Sequence, residues 1–179
     1  MNGSAGIHSQ YQYREYSLSF DGVRFTYILD KTLRSRLVSS VTGFLTHAHP
    51  YYELLYLDEG RLLLSSEYGD IPLRPGQLCL IAPLTQHGRV YAEPDSLLYS
   101  FGFTFQRCGE GALLGALTEL LAFDGAAILA LPGEERYTWL RLDSARRLDS
   151  GLREAQIAGM LHTQFLSVLG QLEASGTLP

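Results

Sequence analysis

The stretch LLYSFGFTF, residues 97–105, alternates more cleanly than any other part of the chain. Leu97, Tyr99, Phe101, Phe103 and Phe105 share one parity, and Leu98, Ser100, Gly102 and Thr104 share the other. A period of two is the signature of a β-strand, whose successive side chains point to opposite faces. Such a strand needs partners, and the sequence supplies them in short pieces. Val23, Phe25, Tyr27 and Leu29 alternate with polar neighbours, and residues 36–46 are mixed and β-branched. ELLYL (53–57) closes at Asp58-Glu59-Gly60, and RLLLS (61–65) reads as its hairpin partner. A turn over Glu67 to Asp70, the strong turn Pro75-Gly76 and the apolar LCLIA (78–82) continue the pattern.

After Cys108 the period changes. GALLGALTELLAF (111–123) suits a helix, AAILAL (126–131) a short strand or extended link, and a helix is expected from about Glu134 to Leu148. A second runs from about Leu152 to Glu173, with Leu152, Ala155, Ala158, Leu161, Phe165, Val168, Leu169 and Leu172 on one broad stripe. That stripe packs either on the chain's own strands or on a partner subunit. Strands first and helices after predict an antiparallel barrel or sandwich followed by a small helical unit.

Composition narrows the function classes. A chain of 179 residues holds one domain with a real core. Net charge is −5 with no basic stripe, which argues against a grip on nucleic acid or an anionic membrane by these residues themselves. No apolar run reaches bilayer length, and the polar start MNGSAGIHSQ has no apolar core of signal-peptide type, so a cytoplasmic location and no membrane partner are expected. Cys79 and Cys108 read as free thiols. There is no nucleophile elbow, phosphate loop or Ser-His-Asp arrangement, so no catalytic residue is assigned.

The chemistry lies in HAHPYYELLYLDEG, residues 47–60. His47, His49, Tyr51 and Glu53 are all odd-numbered and share a face if the strand is regular. His87 comes just after Pro83, where a strand LCLIA would carry the chain to a neighbouring position. Three histidines and a glutamate suit a divalent metal such as Zn, Ni, Fe or Mn. Without metal, the same groups hydrogen-bond one another or line the pocket of an organic ligand. Tyr51 has the pocket-facing parity and a hydroxyl. Phe101 and Phe103 are candidates for the apolar wall of the pocket, or simply core.

His47, His49, Glu53 and Gly60 match the first cupin motif, HxHxxxE followed by six residues and Gly. The second motif is echoed by Gly76, Pro83 and His87, with one residue fewer between Pro83 and His87 and with Tyr91 where asparagine is usual. The fuller run of His47, His49, Tyr52, Glu53, Leu54, Tyr56 and Gly60, then Leu73, Pro75, Gly76, Leu78, Leu80, Ile81, Pro83 and His87, resembles the N-terminal ligand-binding and dimerisation domain of AraC/XylS-family transcription regulators. The resemblance spans roughly residues 20–173. It implies a mostly β chain, a cupin-type antiparallel β-barrel (jelly roll) followed by a small helical unit. Residues 1–20 would form an arm, with Tyr11, Tyr13 and Tyr16 available to cover the barrel mouth. Residues 21–108 would form the sensor barrel, and 109–179 a helical dimerisation and linker unit.

The function implied is effector sensing. A small molecule would enter the barrel and shift the state of attached DNA-binding domains, a pair of helix-turn-helix motifs expected beyond Pro179. A homodimer would form through the C-terminal helices, with Leu161, Phe165, Val168, Leu169 and Leu172 at the contact. The rival implied by the cupin motif is a free-standing metal-dependent enzyme, a dioxygenase or isomerase.

Overall fold

The computed structural model describes residues 13–29, 33–37, 46–131, 133, 135–147 and 151–175. Among these residues, seven strands form one antiparallel sheet. They are β1 (Arg14–Phe20), β2 (Val23–Leu29), β3 (Arg34–Arg36), β4 (Tyr52–Glu59), β7 (Gln77–Ile81), β9 (Leu97–Arg107) and β10 (Ala126–Ala130). Their order is β1-β2-β9-β4-β7-β10, with β3 pairing β9 beside β2. Three strands form a smaller sheet in the order β6-β5-β8, namely β5 (Leu62–Ser66), β6 (Gly69–Leu73) and β8 (His87–Ala92). Three helices are α1 (Leu113–Leu120), α2 (Glu135–Ala145) and α3 (Arg153–Ser175). The two sheets pack face to face as an open jelly roll of cupin type, the fold class expected from the sequence.

The alternation that marked residues 97–105 divides the large sheet into two faces. On one, Leu55 and Leu57 of β4, Cys79 and Ile81 of β7 and Leu98 of β9 meet Leu62, Leu64, Ile71, Leu73 and Ala92 of the small sheet. On the other, Tyr56, Leu78, Tyr99, Phe101 and Phe103 meet Trp139 and Leu142 of α2 and Leu161, Phe165 and Val168 of α3. Trp139 lies flat on Tyr56, ring centroids 5.5 Å apart and planes 2° apart, and fastens α2 to the sheet.

The expected hairpin between residues 53–57 and 61–65 does not form. β4 pairs with β7 and β9, and β5 pairs with β6 and β8. The chain crosses between sheets at Gly60, where φ is +86° and an added Cβ would lie 2.1 Å from Ser96 Oγ. That conformation and that closeness require glycine. Both apolar segments still bury the same face, because Leu57 and Leu62 both line the space between the sheets.

Two other boundaries move. Of the arm expected over residues 1–20, residues 14–20 are β1, paired in register with β2, and Tyr16 is buried in the core instead of being free to cover a mouth. Tyr11 and the rest of residues 1–12 lie outside the described residues. The unit expected over 109–179 is not purely helical, since β10 completes the large sheet against β7. Most of the strand expected over 36–46 also lies outside the described residues, and β3 ends at Arg36.

The five residues expected at a dimer contact face inward. Leu161, Phe165, Val168, Leu169 and Leu172 are all buried within this one chain. Phe165 packs against Phe25 at 5.4 Å and Phe103 at 4.7 Å. Of the two partners open to the apolar stripe, its own sheet takes it. Leu152 and Ala155, counted with the stripe, are exposed.

Candidate metal and effector site

The four polar residues singled out in the sequence come together at one end of the sandwich. A ligand atom from each of His47, His49, Glu53 and His87 lies within 4.8 Å of the others. Three elements bring them there. Glu53 is the second residue of β4 and points between the sheets with Leu55 and Leu57. His87 opens β8 on the smaller sheet. His47 and His49 precede β4 in irregular backbone, where an isolated bridge, with His47 N–H to His87 O and His87 N–H to His47 O both at 3.0 Å, joins this segment to the start of β8. The regular strand that would align residues 47–53 is therefore absent before Tyr52, yet the side chains still converge.

Hydrogen bonds fix which nitrogens face the centre. His49 Nδ1 lies 2.8 Å from the carbonyl oxygen of Tyr51, and His87 Nδ1 lies 2.9 Å from that of Thr85. A backbone carbonyl only accepts, so each Nδ1 carries a proton and donates it. Each Nε2 then faces Glu53 Oε2, at 3.2 Å from His49 and 3.0 Å from His87. In the neutral ring that Nε2 is a lone pair aimed at a carboxylate, which requires either a second proton or a cation between them. This donor set fits a divalent metal. Carbonyls that orient histidine ligands through the far nitrogen are the usual outer support of such sites.

The electrostatics follow from the same contacts. Burial alone raises the Glu53 carboxyl, but hydrogen bonds with His49 and His87, and their charges, hold it down at about 2. Burial alone lowers His87, yet its bonds to Glu53 and Thr85 leave it raised above the ordinary histidine value. Burial and the Glu53 charge push the nearby Cys79 thiol up to about 12, so Cys79 stays a neutral apolar filler. His49 and His87 are buried whereas His47 is exposed, so the cluster opens to solvent on the His47 side.

Two aromatic candidates belong elsewhere. Phe101 is opposite Leu54 and Phe103 opposite Tyr52 across β4 and β9, so both lie on the helix face. Opposed residues of an antiparallel pair share a face. Phe101 packs against Trp139 and Phe103 against Phe165, on the far side of the sheet from Glu53. Glu53 is opposite Gly102 instead.

Tyr51 does reach the cluster. Its ring stacks on His49 at 3.9 Å and 2°, over the bare backbone of Gly102. Sequence reading missed Gly102 and Thr85. A glycine at the centre of the cleanest strand was the available signal, because glycine inside a strand marks a close approach. Nothing in the sequence marked Thr85, which acts through its backbone carbonyl.

Residues 40–163 match the protein-family model described as the AraC-like ligand binding domain. No curated protein matches the chain. Among solved structures, an apo ToxT variant from Vibrio cholerae strain SCE256 is 8% identical with a TM-score of 0.50, covering 90% of this chain and 58% of its own. The AraC-like transcriptional activator CuxR is 8% identical with a TM-score of 0.49, covering 95% of this chain and 59% of its own. An RmlC-like cupin from Shewanella frigidimarina is 15% identical with a TM-score of 0.33, covering 54% and 86%. The likeness to ToxT is one of fold, and this chain spans somewhat over half of that protein.

Proposed function

The chain belongs to the AraC-like ligand binding domain family, and from that premise we propose that it is the effector-sensing and dimerisation domain of an AraC-like transcription regulator. The observation that carries the reading is the cluster of His47, His49, Glu53 and His87, four converging polar side chains at the solvent-open end of an otherwise apolar sandwich. His47, His49, Glu53 and His87 would hold a divalent ion (Zn, Ni, Fe or Mn), which supplies a Lewis-acid anchor for an effector oxygen. Tyr51 adds an aromatic wall beside it. An effector that binds two states of the domain unequally shifts their populations, and DNA-binding domains attached to the chain would follow. Those domains would make the phosphate contacts, in keeping with the net charge of −5 on this part.

Homodimerisation is proposed through the outer face of α3. With the Phe165 side of the helix buried, the face left for a partner carries Ala155, Gly159, Thr163, Leu166 and Gly170, all exposed. Small residues there would let a second helix approach closely.

The test is thermal denaturation and calorimetry of the chain with Zn, Ni, Fe and Mn, followed by a panel of small carboxylic acids and polyols on the metal-loaded protein. A ligand at about 100 times its Kd stabilises by about 2.7 kcal/mol, which a melting curve resolves easily. A chain that no metal and no small molecule stabilises would overturn the sensing reading. The rival reading, a metal-dependent cupin enzyme of the dioxygenase or isomerase kind, is favoured by one feature. The donor set is open on the His47 side, leaving room for a substrate at the ion. Turnover of oxygen or isomerisation of a panel substrate by the metal-loaded chain would favour it.

A further inference from the structure

His49 sits in residues 48–51, which join no strand, so the sheet does not fix its ring. Besides the Nε2 contact with Glu53 and the edge of His87 at 5.0 Å, two contacts from Tyr51 hold it. The carbonyl of Tyr51 accepts the Nδ1 proton of His49 at 2.8 Å, and the phenol ring lies flat on the imidazole at 3.9 Å and 2°. Tyr51 in turn needs a seat. Its ring occupies the space that a side chain at position 102 would fill, since a Cβ on Gly102 would stand 2.5 Å from Cδ2 and 2.7 Å from Cε2. Gly102 is directly opposite Glu53 across β4 and β9, so the seat is in register with the carboxylate that His49 faces. Every other residue type at position 102 would push the ring aside.

We propose that Tyr51 is a positioning residue for His49, held by the glycine seat at Gly102, and that its ring and carbonyl together set the direction in which His49 Nε2 meets Glu53. In this role the ring works by its flat face and not by its hydroxyl. The proposal rests on the metal-site reading above for its affinity measurement, but not for the orientation of His49 itself. Outer contacts that orient a ligand histidine typically govern metal affinity by 10- to 100-fold.

The experiment compares Tyr51→Leu, Tyr51→Phe and Gly102→Ala with the wild-type chain. Zinc binding is measured by calorimetry. The His49 ring protons, identified by their loss in His49→Ala, are followed by NMR at one fixed pH, where the stacked phenol shifts them upfield. Y51L and G102A should lose the upfield shift and bind zinc roughly 10- to 100-fold more weakly. Y51F should keep both.

Unchanged His49 shifts in Y51L and G102A would overturn the proposal. So would a Y51F as impaired as Y51L, which would move the role to the hydroxyl. If wild-type protein takes up no zinc, the metal reading fails while the His49 shifts of G102A, which keeps the phenol ring, still decide the positioning role. Emission of Trp139 reports whether each variant is folded. Should G102A not fold, the Y51L and Y51F pair carries the comparison, because neither adds volume at the seat.

Discussion

Replacing Phe165 by alanine separates a helix that completes its own domain from one that waits for a partner. Phe165 is fully buried in the single chain, with tilted ring contacts to Phe103 at 4.7 Å and Phe25 at 5.4 Å. Truncating a buried phenylalanine costs roughly 3–5 kcal/mol, counting lost transfer energy and the cavity left behind. The aromatic contacts, each worth about 0.5–1.5 kcal/mol beyond area, place F165A toward the upper part of that span. For a chain of this size each kcal/mol lowers Tm by about 2–4 °C, so a fall of roughly 6–20 °C is expected. The neighbouring Leu166 is 48% exposed and gives the internal control, with L166A expected within about 0.5 kcal/mol of wild type. Melts followed by circular dichroism at two protein concentrations tenfold apart, with sedimentation velocity alongside, make the measurement. The F165A deficit should be the same at both concentrations and should not be accompanied by loss of self-association. An F165A chain with wild-type Tm but weakened association would refute the packing deduced for α3, and would return residues 161–172 to a subunit contact.

Four further outcomes follow from the same geometry. His87→Ala removes one donor of the cluster and should abolish stoichiometric metal uptake, read by elemental analysis after soaking and desalting. Glu53→Gln leaves the two Nε2 atoms without their shared carboxylate and should destabilise the metal-free chain by roughly 3–5 kcal/mol in denaturant titration, the usual cost of breaking a buried ion pair. In the metal-free chain the Glu53 pKa is depressed from 4.5 to about 2, so its contribution is full above pH 4.5 and is lost as pH falls toward 2. His87 is raised, so its contribution is full below pH 6.5 and is lost as pH climbs through the folded value. Melting temperature against pH should therefore decline on both sides, and the decline below pH 4.5 should be weaker in E53Q. Trp139, the single tryptophan, should emit as a buried indole and shift to the red in step with circular dichroism on unfolding.

Much of this was legible because side-chain parity survives irregular backbone. The alternation at 97–105 located β9 and assigned its faces, and odd parity brought His47, His49, Tyr51 and Glu53 together although only Glu53 lies in a strand. What parity does not encode is which face of a sheet is which. Phe101 and Phe103 have the aromatic character of a pocket wall, but a strand buried on both sides looks the same whether a phenylalanine meets a ligand or a helix. Only the register with β4 decides it, and register is a long-range property. The same gap explains the lost hairpin. A turn between two apolar runs predicts pairing, yet Leu57 and Leu62 share a buried space from opposite sheets and satisfy the same pattern. The stripe on α3 was equally visible and equally silent on its partner, because burial against one's own sheet and against another subunit demand identical residues.

The division of the large sheet into two faces also says where evolution of function can act at low cost. The helix face holds Tyr56, Tyr99, Phe101, Phe103, Trp139 and Phe165 in mutual contact, so a change there is felt through the whole packing. The opposite face has a different design at its open end. His47, His49 and Glu53 are donated by the entry to one strand, and His87 by the start of a strand in the other sheet. The bridge between residues 47 and 87, the Leu84 N–H donated to the His49 carbonyl at 2.8 Å and the seat at Gly102 tie that end to the framework. Exchanging the exposed donor His47 there removes chemistry while leaving the aromatic layer intact. It follows that H47A, at the exposed donor, should lose metal uptake while its metal-free melting temperature stays that of the metal-free wild type, and a large fall in that Tm would show that the two faces are not energetically separate.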